Sequence, residues 1–93
     1  MKPGDVTLLL TRPEPAAHRF AAECAAALGA FGRIVVAPLM RIVPLPLPAL
    51  APDAVLAFTS ENGVAVAAQL GATGRLAWCV GERTAAAARA AGF

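Results

Sequence analysis

Three short stretches of this chain combine hydroxyl, amide or guanidinium side chains with the start of a helical pattern. They are Thr11-Arg12-Pro13, Thr59-Ser60-Glu61-Asn62 and Gly81-Glu82-Arg83-Thr84. The first amides of a helix lack intrahelical partners, and the helix dipole is positive at that end, so such turns suit anions. A dipole contact contributes about 0.3–1 kcal/mol and a hydrogen bond to a charged group about 1.5–3 kcal/mol. One turn alone is therefore unselective, whereas several facing one cleft could hold a ligand bearing many carboxylates. The competing reading is that Ser and Thr serve as ordinary helix caps and that Arg12 and Arg83 are solvated. That reading suffices for any single residue, and the coincidence of three turns favours a ligand. The candidate binding residues are Thr11, Arg12, Ser60, Glu61, Asn62, Gly81, Arg83 and Thr84.

Other chemistries lack material. No G-x-G-x-x-G follows the first apolar run, and no G-x-x-x-x-G-K-[ST] occurs, so dinucleotide and P-loop fingerprints are missing. His18 is the only histidine and reads as a surface or boundary residue of the first helix, which leaves nothing for a hydrolytic triad or a histidine metal site. Glu61 and Glu82 are far apart in sequence, and nothing pairs them as acid and base. Cys24 and Cys79 lack metal-ligand spacing and read as small buried apolar side chains. No cofactor and no metal are expected.

The elements that must position the turns follow from periodicity. Val6 to Leu10 is a continuous apolar run, as in strands of a parallel sheet covered on both faces. A helix is expected from about Glu14 to Leu28, with Ala17, Phe20, Ala21, Cys24 and Leu28 on its apolar face and Glu14 at the dipole's positive end. Gly29 stops it. Arg33 to Ala37 is a second strand. From Pro38 to Pro48 the chain is extended, and proline at every second residue from Pro44 excludes a helix or a central strand. Asp53 to Thr59 is a third strand, and Ser60 caps a helix expected over Val64 to Leu70, with Val64, Ala67 and Ala68 inward, that ends at Gly71. Leu76 to Val80 is a fourth strand, followed by an alanine-rich helix that ends at Gly92. Strands alternating with helices predict an α/β fold with a mostly parallel sheet, and ligands of such folds bind at the carboxyl ends of the strands.

The 93 residues suffice for one small domain. Hydrophobic residues form 58% and charged residues 15%, which excludes a disordered segment. No apolar run approaches the roughly 18 residues of a membrane span, and the start has no secretory signal pattern. A cytoplasmic protein is the expectation. The net charge of +2 comes from scattered basic residues, with no basic stripe for nucleic acid.

Taken in order, these segments resemble the N-terminal part of the uroporphyrinogen-III synthase family. The resemblance rests on the first strand running into Thr11-Arg12-Pro13, on Leu28-Gly29, and on Val36-Ala37-Pro38-Leu39-Met40-Arg41-Ile42-Val43-Pro44. It continues through Asp53 to Val64, then Cys79 to Ala85, and Ala90-Ala91-Gly92-Phe93. Each motif is degenerate, and their order and spacing are specific. Membership implies a Rossmann-like fold of two α/β lobes joined by extended strands, with a cleft between them. Residues 1–36 would then belong to lobe 1, 37–52 form a proline-rich connector, and 53–93 form the first half of lobe 2. The family's chains are more than twice as long, which implies a fragment, inactive as it stands and prone to self-associate, of a monomeric lyase.

The family's reaction is cyclisation of the linear tetrapyrrole hydroxymethylbilane, with loss of water and inversion of the last ring through a spiro intermediate, in heme biosynthesis. It uses no cofactor or metal. The substrate's acetate and propionate groups match the anion-binding turns. A tyrosine is considered as the acid in this family, and this chain has no tyrosine, so no catalytic residue is assigned. The rival reading is a non-catalytic α/β module that binds some other anion.

Overall fold

The computed structural model describes all of residues 1–93. A 3-10 turn at Pro3–Asp5 leads into β1 (Thr7–Leu10), α1 (Ala16–Leu28) and β2 (Arg33–Val36). After an irregular stretch follow β3 (Leu56–Phe58), α2 (Glu61–Gln69), β4 (Ala77–Cys79) and α3 (Glu82–Ala91). The fold is mixed α/β with two small parallel sheets, β1 with β2 and β3 with β4. Contacts divide the chain into two units, Met1–Val43 and Pro44–Phe93.

In the first unit Thr7 to Leu10 pair with Arg33 to Val36 in parallel register. The core is Leu10, Ala17 and Ala21, with Leu8, Phe20 and Val36 packed against it. Helix α1 thus covers the face bearing Leu8, Leu10 and Val36. Gly29, at φ 92°, ends α1, and its amide donates to the Ala25 carbonyl at 2.9 Å. Gly32 donates to the carbonyls of Pro3 (3.2 Å) and Val6 (3.1 Å). A Cβ at Gly32 would overlap the Gly4 carbonyl oxygen, so this approach requires glycine.

In the second unit Leu56, Ala57 and Phe58 pair in parallel with Ala77, Trp78 and Cys79. Phe58, Val64, Ala67, Ala72 and Ala88 are buried. Helices α2 and α3 together cover the face of Leu56, Phe58, Ala77 and Cys79. The Phe58 and Phe93 rings meet edge to face, with centroids 5.0 Å apart at 68°. Helix α3 ends on Gly92 in the left-handed region, and the Gly92 carbonyl accepts the Gly74 amide at 2.9 Å.

The structure corrects several sequence expectations. The strands are covered on one face only: Leu9 is 60% exposed and Trp78 70%. A continuous apolar run predicts two-sided burial, but each sheet has only two strands, with helices on one side. Helix α1 starts at Ala16, because Pro13 and Pro15 hold the chain in a turn before it, and Glu14 lies outside its first turn. Leu28 is exposed, although it lies on the expected apolar face. Cys24 and Cys79 are half-buried. Helix α2 starts at Glu61, directly after its cap. No helix is long and apolar enough to cross a membrane.

Candidate functional site

In the first unit the ladder between β1 and β2 continues past the strands. The amide of Ala37 donates to the Leu10 carbonyl at 2.8 Å, and that of Leu39 to the Thr11 carbonyl at 3.1 Å. This holds Thr11 at the carboxyl end of β1, beside Pro38 and Leu39. Thr11 and Arg12 are exposed. The Arg12 guanidinium carbon lies 5.3 Å from the centroid of the Phe20 ring, a cation–π contact that rests the side chain on α1. An open groove of about 610 Å³ lies at this end of the sheet, lined by Pro13, Glu14 and the run Pro38 to Ile42. Its charged members are Glu14 and Arg41. Glu14 Oε1 is 3.0 Å from His18 Nε2, an exposed contact one helical turn apart.

In the second unit the parallel pairing of Phe58 with Cys79, and the bond from the Val80 amide to the Phe58 carbonyl at 3.0 Å, set two turns side by side. These are the Ser60 turn after β3 and the Gly81 turn after β4. Ser60 is extended and its Oγ accepts the Gly63 amide at 3.3 Å, a cap on α2. A hydroxyl that accepts can still donate its own proton outward. Asn62 is exposed beside it and Glu61 is half-buried. Gly81, at φ 87°, opens α3 with no side-chain cap, so the first amides of that helix have no competing side-chain oxygen from the cap residue. Arg83 is exposed, whereas Thr84 is buried at 7% in the α3 face that meets the core.

The structure therefore brings together Ser60, Glu61, Asn62, Gly81 and Arg83 at the carboxyl end of one parallel pair. Thr11 and Arg12 occupy the equivalent place in the other unit. Thr84 belongs to the packing of its helix. Two carboxylates, Glu61 and Glu82, stand in the first turns of α2 and α3 and already complement the dipoles there. They oppose a second negative charge at those helix starts. Sequence reasoning did not single out Arg41. Its signal was present: it is the one charged residue between Ile34 and Pro52. No group of three or more His, Cys, Asp or Glu side chains is gathered as a metal site would require.

No family model, no curated protein and no solved structure matches the chain.

Proposed function

We propose that this chain is the N-terminal part of a uroporphyrinogen-III synthase, in which the strand-end turns hold the carboxylates of a linear tetrapyrrole while it closes with inversion of its last ring. The observation that carries the reading is the adjacency of the Ser60 and Gly81 turns at the carboxyl end of a parallel pair, where open α/β sheets bind ligands. The order of motifs along the chain supplies the substrate class. The Rossmann-like two-lobe plan, with residues 1–36 in one lobe and 53–93 in the other, is part of the proposal, as is a cytoplasmic setting.

Within it, the residues divide by chemistry. Arg12 and Arg83 present forked donors to acetate or propionate groups. The Ser60 hydroxyl, the Asn62 amide and the first amides of α3 add neutral donors. Glu61 is an acceptor and suits a pyrrole N–H, not a carboxylate. These groups contribute mainly orientation, which matters because uncatalysed closure gives the non-inverted isomer. No catalytic acid is assigned among the 93 residues.

The absence of tyrosine favours one alternative, a non-catalytic module that binds a polycarboxylate without turning it over. Incubating the protein encoded by the complete gene with hydroxymethylbilane and separating the isomers decides between them. The type III isomer in excess supports the synthase. Only the type I isomer, formed at the spontaneous rate, refutes it.

A further inference from the structure

We draw no further inference here: the strongest candidate, the exposed apolar face of the β3–β4 sheet bearing Leu76, Trp78 and Val80, carries nothing, because nothing in the structure shows what covers it.

Discussion

Phe58 is the side chain on which the second unit depends most. It is 7% exposed, contacts the core of both helices, and meets Phe93 edge to face at 5.0 Å. Truncating such a ring to alanine costs about 3–5 kcal/mol, from lost burial and the cavity left behind. A unit the size of Pro44–Phe93 has a total stability of about 2.5–7.5 kcal/mol, at roughly 0.05–0.15 kcal/mol per residue. Phe58→Ala should therefore remove most of that stability. Urea unfolding followed by far-ultraviolet circular dichroism, with hydrogen exchange of the Val64, Ala67 and Ala88 amides, measures it. A cycle with Phe58→Leu, Phe93→Leu and the double variant isolates the ring pair, for which a coupling of about 0.5–1.5 kcal/mol is expected. If Phe58→Ala costs under about 1 kcal/mol and the helix amides stay protected, Phe58 is not the centre of this core. A coupling of zero would refute the edge-to-face contact alone.

Ser60→Ala should destabilise α2 by about 1 kcal/mol, because the Gly63 amide loses its acceptor; equilibrium unfolding checks this, and an unchanged midpoint refutes the cap. Gly32→Ala should cost about 1–3 kcal/mol, since the new methyl displaces the Gly4 carbonyl; a melt unchanged from the parent would show that the turn yields freely. Glu14→Gln should shift stability by no more than about 0.5 kcal/mol, because the contact with His18 is exposed and screened, and a larger loss in low salt would contradict that. The bare apolar faces with Leu9, Leu76, Trp78 and Val80 should make the chain self-associate as concentration rises. In sedimentation velocity Trp78→Glu should reduce this, and a parent chain that stays monomeric throughout would refute it.

Features set by neighbours in sequence were legible before the structure. Ser60 is a good capping residue placed where a helical pattern begins, and its hydroxyl does cap. Gly29 and Gly92 follow the last periodic residues and do end their helices. What depends on distant parts of the chain was not legible. A continuous apolar run such as Val6 to Leu10 cannot report whether one or both faces will be covered, because the cover comes from elsewhere. Leu28 sits on the apolar stripe of α1 yet is exposed. The candidate site shows the same division. The strand-end positions of Thr11, Ser60 and Gly81 followed from element order, whereas burial of Thr84 depended on how α3 rotates onto its sheet.

Both sheets are parallel pairs whose partners are remote along the chain, Thr7 with Arg33 and Leu56 with Ala77. Neither ladder can begin to form until a whole helix-bearing loop has been closed, and the entropy of that closure is spent before any strand bond returns it. The rate of folding should therefore be governed by how soon α1 and α2 shorten the loops they occupy. Substituting glycine at exposed helix positions such as Ala22 and Ala65 should slow refolding, while trimming Val36 or Cys79 should mainly hasten unfolding. Stopped-flow folding arms that respond the other way round would place strand pairing first. On this account the helices act in time as well as in space, as the timers of sheets that have only two strands each.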